Sequence, residues 1–311
     1  MNTSKILITT SSFAKNDITP LETLRQLNHE IILNPFERKL NEEEILQLIQ
    51  EHQPVGIIAG VEPLTARVLG KAKNLQAIAR AGIGMDSVDI AAARKLGISV
   101  TNTPDAPTIP VAELTLGMIL SLLRKIHITD SSIRNQEWER PMGRLLYGKT
   151  VGLIGCGRIG SKLARYLQAF DCRILGCDPV CTEHEDIQLS GLDELIAESN
   201  IVSLHLPYSE STYHFMCKER IQSMKPGSIL INTARGGLVD EQALYEALKS
   251  GHLAGAALDC FEEEPYTGPL KDLENTLLTA HIGSYAKEAR IMMENQAVDN
   301  LLAQLREKKV L

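Results

Sequence analysis

The sequence has no apolar stretch long enough to cross a membrane, and it is poor in cysteine. Its longest uncharged apolar-rich run, Leu114 to Leu123, has ten residues, whereas a membrane-spanning helix needs about 20. Six cysteines in 311 residues are typical of thiols kept reduced inside a cell and do not indicate a disulfide framework. The N-terminus lacks a basic segment followed by a long apolar run, so it does not resemble a secretory signal. These absences predict a cytoplasmic protein that does not bind membranes.

Basic residues are not in excess, and no segment repeats another or has low complexity. The formal net charge of −7 provides no electrostatic attraction to a phosphate backbone, so we expect no nucleic-acid binding. Hydrophobic residues make up 44% and charged residues 23% of the chain, which is ordinary for a globular protein. A chain of this length predicts about two domains.

Short β-branched segments alternate with amphipathic segments along the chain. This alternation predicts an α/β fold with doubly wound parallel sheets. Three prolines within residues 103–110 indicate a linker, and Pro110 is well placed to begin a helix. Strands are predicted at Lys5–Thr9, Glu30–Leu33, Val55–Ala59, Gln76–Ala79 and Ile98–Val100 before this linker, and at Thr150–Ile154, Arg173–Cys177, Asn200–Leu204, Ser228–Ile231, Gly255–Leu258 and Thr276–Leu278 after it.

Two predicted helices frame the second series of strands. The segment from Val111 to Ile126 carries apolar residues around its whole axis, so it has to be covered on nearly all sides. This pattern is equally compatible with a buried core helix and with a helix at a subunit contact. A terminal helix is predicted between Tyr285 and Leu305, which has apolar residues on one face.

A glycine-rich turn directly follows the predicted strand that ends at Ile154. Gly155, Gly157 and Gly160 have the GxGxxG spacing, and an amphipathic helix follows them. The first glycine permits a tight turn, the second lets the backbone approach a pyrophosphate, and the third lets the helix pack close to the strand. The helix N-terminus offers free N–H groups and a partial positive charge to phosphates. A structural turn is the alternative, but the flanking strand and helix favour a dinucleotide site.

Asp178 ends the next predicted strand, 18 residues after Gly160. A carboxylate at this point can accept hydrogen bonds from both ribose hydroxyls of NAD, and it would repel the 2′-phosphate of NADP. No arginine follows immediately to bind that phosphate. The pattern therefore favours NAD, with a solvated aspartate at a strand end as the alternative.

A second cluster of polar residues resembles a metal site only superficially. Cys177, Cys181 and His184 have the spacing C-x3-C-x2-H. No fourth ligand follows at a spacing typical of zinc sites, so we predict no metal.

Arg235, Glu264 and His281 each follow a predicted strand, at the edge of the sheet where α/β proteins bind ligands. A guanidinium can hold a carboxylate in bidentate fashion, an imidazole can exchange a proton near neutral pH, and a neighbouring carboxylate keeps the imidazole charged and oriented. Each residue also has a structural interpretation. The arginine can be a surface residue, the glutamate part of a solvated acidic loop (Glu262–Glu264), and the histidine a structural one. Spacing alone does not bring the three together.

The motifs taken together resemble one known family. The stretches RAGIGMDSVDI, VGLIGCGRIG, NTARGGLVDEQALYEAL and LLTAHIG are similar to those of the D-isomer-specific 2-hydroxyacid dehydrogenases, and most similar to their D-3-phosphoglycerate dehydrogenase-like members. The resemblance implies two Rossmann-like domains. A flavodoxin-like substrate-binding domain would be discontinuous, with residues 1–102 and 284–311, and an NAD-binding Rossmann domain would comprise residues 103–283. It also implies a homodimer.

The resemblance further implies a role for each candidate in moving a hydride between nicotinamide and a D-2-hydroxy acid or 2-keto acid. Arg235 would bind the substrate carboxylate and polarise the 2-oxo group. His281 would exchange the proton of the substrate oxygen, and Glu264 would favour its imidazolium form. The backbone of Ile83 and Gly84 would hold the substrate carboxylate from the other domain. The implied cofactor contacts, besides Gly155, Gly157 and Gly160, are Arg158, Ile159, Asp178, Pro207, Thr212, Thr233, Asp259 and Gly283.

The sequence departs from the family pattern where a phosphate would be recognised. Many phosphoglycerate-oxidising members carry an R-S-x-T stretch after the third strand, whereas this chain has AGVEPLT at residues 59–65. A phosphorylated substrate would therefore need contacts from Arg80, Arg144, Ser11 or Ser12. Tyr285 is predicted to lie at the rim of the pocket. Hydroxypyruvate, glyoxylate and 3-phosphoglycerate remain candidate substrates. The alternatives are a non-catalytic NAD-sensing binding protein on the same scaffold, and oxidation of formate or phosphite.

Overall fold

The chain divides into two compact units. The structure, a computed structural model, describes residues 4–27 and 29–310. Unit 1 lies within residues 1–107 and 284–311, and unit 2 comprises residues 108–283. The first division thus falls between Pro107 and Thr108, whereas the sequence places a domain boundary after residue 102. That unit 1 binds substrate and unit 2 binds NAD stays a prediction at this point.

Unit 1 is built on a sheet of five parallel strands in the order β2-β1-β3-β4-β5. The order reverses between β1 and β3, which lie side by side with Ile6 opposite Gly56. The strands are β1 (Lys5–Ile8), β2 (Glu30–Leu33), β3 (Gly56–Ala59), β4 (Ala77–Arg80) and β5 (Ser99–Asn102), and the helices are α1 (Thr19–Arg25), α2 (Glu42–His52), α3 (Ala66–Leu69), α4 (Ile90–Lys95) and α11 (Lys287–Glu307).

Local signals in the sequence account for several of these elements. Helix α2 begins with a capping box, because the Asn41 side chain accepts from the Glu44 N–H while the Glu44 carboxylate accepts from the Asn41 N–H. Helix α11 packs on β3, β4 and β5. A Cβ added at Gly56 would lie 3.0 Å from Leu301 Cδ1, so helix and sheet approach closely there. The core of unit 1 therefore includes residues from both ends of the chain.

Unit 2 contains a sheet of seven parallel strands in the order β12-β11-β10-β9-β6-β7-β8. The order reverses between β6 and β9, which makes this the switch point of the sheet. Its strands are β6 (Thr150–Ile154), β7 (Arg173–Cys177), β8 (Gln188–Leu189), β9 (Ile201–Leu204), β10 (Ile229–Asn232), β11 (Gly255–Leu258) and β12 (Thr276–Leu278), and its helices are α5 (Thr108–Arg124), α6 (Ile126–Arg134), α7 (Arg158–Gln168), α8 (Leu192–Glu198), α9 (Lys218–Ser223) and α10 (Glu241–Lys249).

The α/β fold class with two doubly wound parallel sheets is confirmed, and some details differ from the prediction. Helix α5 begins at Thr108, inside the predicted linker, with Pro110 as its third residue. The first N–H groups of a helix have no acceptor within it, so a proline there loses no hydrogen bond. The helix ends at Arg124 because Lys125 adopts a left-handed conformation with φ of 53°. Strand β8, only two residues long, was too short to predict.

Across residues 4–27 and 29–310, no helix is both long and apolar enough to span a membrane.

Candidate active site

The glycine-rich turn joins β6 to α7 in unit 2. Gly155 has φ of +100°, and a Cβ there would lie 2.5 Å from the carbonyl oxygen of His205. A Cβ at Gly160 would overlap the carbonyl oxygen of Gly155, whereas a Cβ at Gly157 would meet nothing within 4 Å. Gly155 and Gly160 therefore allow close packing, and Gly157 leaves open space beside the backbone. This is the arrangement that a pyrophosphate requires.

The turn lies at the switch point of the seven-stranded sheet, where the chain leaves β6 between β7 and β9. Open α/β sheets bind ligands in the crevice at this point. Gly157 immediately precedes α7, and Arg158 and Ile159 form its first turn. The free N–H groups of that turn and the helix dipole favour an anion. The residues present thus fit the phosphates of a dinucleotide.

Asp178 follows β7 and lies beside the glycine-rich turn. Its carboxylate accepts hydrogen bonds from the backbone N–H of Cys156 at 2.8 Å, Val180 at 2.9 Å and Cys181 at 3.2 Å. Partial burial alone would raise the pKa of the Asp178 carboxyl, but these three donors outweigh it and leave the pKa below its usual value. A fixed, ionised carboxylate next to the turn is suited to accept hydroxyl donors.

Other predicted cofactor contacts lie in loops and at strand ends of unit 2. Pro207 and Thr212 belong to one turn after β9, in which the Thr212 hydroxyl donates to the carbonyl of Pro207 at 3.0 Å. Thr233 follows β10, is buried, and shares a hydrogen bond of 2.9 Å with the Thr115 hydroxyl of α5. Sequence reasoning did not single out Thr115, because a threonine within an apolar helix carries no distinguishing pattern.

The side chains of His281 and Glu264 meet in a direct hydrogen bond. The Nδ1–H of His281 donates to both carboxylate oxygens of Glu264, at 2.9 and 3.0 Å. The backbone N–H of Phe261 also donates to Glu264 Oε1 at 3.2 Å, which fixes the carboxylate. Because a carboxylate only accepts, this bond puts the proton on Nδ1 and leaves Nε2 for exchange with another group.

The turn that carries His281 is held by Asp259, which follows β11 and is buried. Its carboxylate accepts from the Thr279 hydroxyl at 2.6 Å, the Ile282 N–H at 2.8 Å and the Gly283 N–H at 2.7 Å. His281 has φ of 53°, a left-handed conformation that costs free energy in a non-glycine residue and persists only where its surroundings impose it. Asp259 thus fixes the strained turn that positions the imidazole.

Arg235 follows β10 on a segment that packs against the Glu264 loop. The Asn232 side chain donates to the Arg235 carbonyl at 2.8 Å, and a Cβ at Gly236 would overlap the backbone of Phe261. Both segments surround Cys260. Burial raises the pKa of the Cys260 thiol well above its usual value, Asp259 and Glu264 raise it further, and the Arg235 charge opposes them. Arg235, Glu264 and His281 are therefore grouped at one edge of unit 2.

Ile83 and Gly84 lie in unit 1, in the loop after β4. The Asn102 side chain donates to the Ile83 carbonyl at 2.8 Å, and the Thr103 hydroxyl accepts from the Gly82 N–H at 2.7 Å. The loop is thus tied to the end of β5, at the carboxyl edge of its own sheet.

The structure shows two interactions that sequence reasoning missed. His214 Nε2 and Glu262 Oε1 lie 2.9 Å apart, and the Tyr213 ring stacks on His214 at 3.9 Å. The acidic run Glu262–Glu264 is therefore anchored and not simply a solvated loop. Near the glycine-rich turn, burial lowers the pKa of His205 to about 4; its Nε2 lies 2.9 Å from the Ser203 hydroxyl. The pairing of His214 with Glu262 joins residues 48 positions apart and has no short-range signal in the sequence.

The cysteine cluster does not form a metal site in this structure. Within the described part of the chain, no three histidine, cysteine or acidic side chains are grouped so that they could hold a metal ion. Burial raises the pKa of Cys156 to about 12, so its thiol is a small neutral group inside the glycine-rich turn.

Comparison with known proteins decides the family. Residues 116–283 match the family model described as D-isomer specific 2-hydroxyacid dehydrogenase, NAD binding domain. This chain belongs to that family. As in other 2-hydroxyacid dehydrogenases, the cofactor is NAD, and the glycine-rich turn and Asp178 lie inside the matched segment.

The relatives of this 2-hydroxyacid dehydrogenase differ in their substrates. It is 38% identical to a hydroxypyruvate reductase of Thermotoga maritima, over 93% of this chain and 97% of that one. It is 42% identical to a D-3-phosphoglycerate dehydrogenase of Methanocaldococcus jannaschii, over 81% of this chain but only 49% of that protein. It thus spans about half the length of the phosphoglycerate dehydrogenase.

A solved structure agrees with this assignment. D-lactate dehydrogenase from Aquifex aeolicus, complexed with NAD and lactic acid, superposes with a TM-score of 0.85 at 30% identity, covering 97% of this chain and 96% of that one. Nothing in the described residues or in these relatives supports the alternative of a non-catalytic NAD-sensing protein.

Proposed function

We propose that this 2-hydroxyacid dehydrogenase interconverts a small D-2-hydroxy acid and its 2-keto acid, with Arg235, Glu264 and His281 as its catalytic residues. The observation that supports this best is the hydrogen bond from His281 Nδ1 to Glu264. It orients the imidazole, and it leaves Nε2 to exchange a proton with the substrate oxygen. The fixed turn around Asp259 supports the same role.

NAD would be held by the glycine-rich turn, the first turn of α7 and the carboxylate of Asp178. When bound, NAD supplies the hydride acceptor or donor at its nicotinamide ring. Residues Pro207, Thr212, Thr233, Asp259 and Gly283 are proposed as further contacts. The carboxylate of Asp178 and the absence of an arginine directly after it support preference for NAD over NADP.

The substrate would be held by its carboxylate. Arg235 would bind that carboxylate and polarise the 2-oxo group, because a guanidinium offers two parallel donors. The backbone of Ile83 and Gly84 would provide further donors to the carboxylate. During reduction His281 would protonate the oxygen that becomes the hydroxyl, and during oxidation it would remove that proton.

A screen of 2-keto acids tests this function. NADH oxidation is followed at 340 nm with glyoxylate, pyruvate, hydroxypyruvate, hydroxypyruvate 3-phosphate and a longer-chain 2-keto acid, each at several concentrations. We expect turnover with at least one of them, formation of the D-isomer, and far weaker activity with NADPH. Absence of turnover with every acid, by a protein that binds NADH, would contradict the proposal.

We also propose that the protein is a homodimer. Large apolar side chains are exposed along α6 and the segment before β6: Ile126 (54%), Ile133 (58%), Trp138 (81%), Met142 (88%) and Leu145 (64%). Such a concentration of exposed apolar residues is typical of a contact surface. It lies just after α5, whose apolar pattern already suggested a subunit contact as one of two possibilities.

A further inference from the structure

His184 has the spacing of a metal ligand in the sequence, but both of its ring nitrogens make hydrogen bonds within the protein. Its Nδ1 lies 3.0 Å from the backbone nitrogen of Asp186, and its Nε2 lies 2.8 Å from the Ser161 hydroxyl oxygen. His184 belongs to the segment between β7 and β8, and Ser161 is the fourth residue of α7. The imidazole therefore connects the segment that follows β7 to the helix that follows the glycine-rich turn.

The partners of His184 fix the direction of each hydrogen bond. A backbone N–H can only donate, so the Asp186 N–H donates to Nδ1 and this nitrogen carries no proton. The proton of the neutral imidazole is then on Nε2, which donates it to the Ser161 oxygen. Ser161 in turn donates its own hydrogen to the carbonyl of Cys156 at 2.8 Å. The three bonds therefore run in one direction, from Asp186 through His184 and Ser161 to Cys156.

Cys156 lies between the first two glycines of the turn, and its two backbone groups have different partners. Its carbonyl accepts from Ser161, and its N–H donates to the Asp178 carboxylate at 2.8 Å. Asp178 also accepts from the N–H of Cys181, which lies three residues before His184. These bonds close a ring that joins the glycine-rich turn, α7 and the segment after β7.

The segment after β7 is attached to α7 at a second point. The Asp186 carboxylate accepts from the Gln168 side chain at 2.8 Å and from Arg165 Nε at 3.3 Å. Ser161, Arg165 and Gln168 have the spacing i, i+4 and i+7, so they lie on one face of the helix. The segment is thus fixed along that face of α7.

The position of the Asp178 carboxylate depends on this ring, because its N–H donors belong to the parts that the ring joins. One donor, at Cys156, lies in the glycine-rich turn, and the other two, at Val180 and Cys181, lie in the segment after β7. The carboxylate keeps all three bonds while turn and segment hold this arrangement. The contact between α7 and the segment therefore controls where the carboxylate lies.

We propose that His184 and Ser161 are positioning residues for the cofactor, which hold the Asp178 carboxylate where it accepts the ribose hydroxyls of NAD. This inference rests on the proposed role of Asp178. A carboxylate recognises two hydroxyls only when it is held at hydrogen-bond distance in one orientation. The histidine of the C-x3-C-x2-H pattern thus serves the dinucleotide site, and it acts through Ser161 and the segment after β7.

A double-mutant cycle on NADH affinity tests this role. His184→Phe keeps an aromatic ring and removes both nitrogens. We expect it to raise the Kd for NADH, measured by fluorescence titration, by about five- to tenfold. In an Asp178→Ala background the same change should raise the Kd by less than about twofold, because no carboxylate remains to be positioned. A residue with a merely structural role would cost the same factor in both backgrounds.

Further variants separate the hydrogen bond from the stability of the fold. His184→Gln keeps an N–H donor for Ser161, and we expect its Kd to lie within about twofold of the wild-type value. His252→Phe is the matched control, because it removes a ring nitrogen that lies 3.1 Å from the Ile221 carbonyl oxygen, three residues before β11 and at the amino edge of the sheet. It should leave the Kd for NADH unchanged. If His184→Phe does not fold, Ser161→Ala removes the same bond at a helical position, where alanine is favourable.

An equal rise in Kd in both backgrounds, or a wild-type Kd in folded His184→Phe and Ser161→Ala proteins, would overturn this inference while the proposed function stands. A His184→Gln variant that binds NADH as weakly as His184→Phe would also overturn it. Wild-type NADH affinity in Asp178→Ala would instead contradict the proposed ribose contact, and this inference with it. Catalysis by Arg235, Glu264 and His281 is measured independently, through turnover of 2-keto acids.

Discussion

His281 presents two ring nitrogens, and its hydrogen bonds to Glu264 engage only Nδ1. The histidine backbone is strained, with φ of 53°, and Asp259 holds the turn on both sides of it. Local strain of this kind is found where a side chain must point in one direction for function.

Replacing His281 by asparagine should lower kcat by about 10² to 10⁴-fold, because asparagine cannot exchange a proton near neutral pH. Affinity for NADH should change little, since the glycine-rich turn and Asp178 are untouched. Steady-state kinetics and NADH fluorescence titration measure the two quantities. If kcat fell by less than tenfold, another group would have to carry the proton.

Replacing Asp178 by alanine should weaken NAD binding by about ten- to hundredfold, the usual effect of losing hydrogen bonds to a charged group. It should also reduce the difference in binding affinity between NAD and NADP, because the carboxylate that repels a 2′-phosphate is lost. Titrations with both cofactors measure this. An unchanged preference would mean that the ribose is recognised by other residues.

At the scale of elements, the turn between β6 and α7 allows an experiment that separates loss of cofactor affinity from loss of stability. Gly157→Ala adds a methyl group that meets nothing within 4 Å in the protein, so the free energy of unfolding should drop by less than about 1 kcal/mol. The same methyl group would lie where a pyrophosphate approaches the backbone. We expect the Kd for NADH to rise by about tenfold or more, equivalent to about 1.4 kcal/mol.

Gly191→Ala is the matched control. Gly191 precedes α8 as Gly157 precedes α7, and it too has open space around its Cα. The two variants should therefore lose similar stability in thermal melts, but only Gly157→Ala should lose NADH affinity. Equal NADH affinities would show that the cofactor does not approach the turn.

Strands were easier to predict from the sequence than the ends of helices. Central parallel strands are continuous apolar runs. Strands β2, β6, β7, β11 and β12 have the predicted bounds, although β2 and β12 are edge strands that are only partly buried. Helix α5 was predicted to begin at Pro110 and begins two residues earlier, at Thr108, because proline is a signal of a linker as well as of a first helical turn. The helix ends at Arg124 because Lys125 is left-handed, and a lysine in the sequence does not predict this conformation.

The site was predictable as a set of residues but not as an arrangement. The types and strand-end positions of Arg235, Glu264 and His281 marked them as candidates, and the family resemblance assigned their roles. Sequence could not show that Glu264 contacts Nδ1, because that bond depends on how two distant turns fold. It also could not show that His184 contacts Ser161, since these residues are 23 positions apart on different elements.

On the scale of the whole molecule, we expect twice the monomer mass in light scattering after size-exclusion chromatography. Replacing both Trp138 and Met142 by lysine should shift the protein toward monomer, because it places charges in an apolar contact. Leu96→Lys, at an exposed leucine of unit 1, should leave the mass unchanged. A wild-type protein that is monomeric at micromolar concentration would contradict the homodimer.

Helix α11 belongs to unit 1 although all of unit 2 precedes it in the chain. During synthesis, the seven-stranded sheet of unit 2 can therefore fold as soon as its own residues have emerged. The five-stranded sheet of unit 1 is made earlier, but its face around Gly56 and β4 stays uncovered until Leu301 and its neighbours have been made. Until then that face offers bare apolar surface to chaperones and to other nascent chains. The order of maturation is thus the reverse of the order of translation, and the lobe made first is finished last.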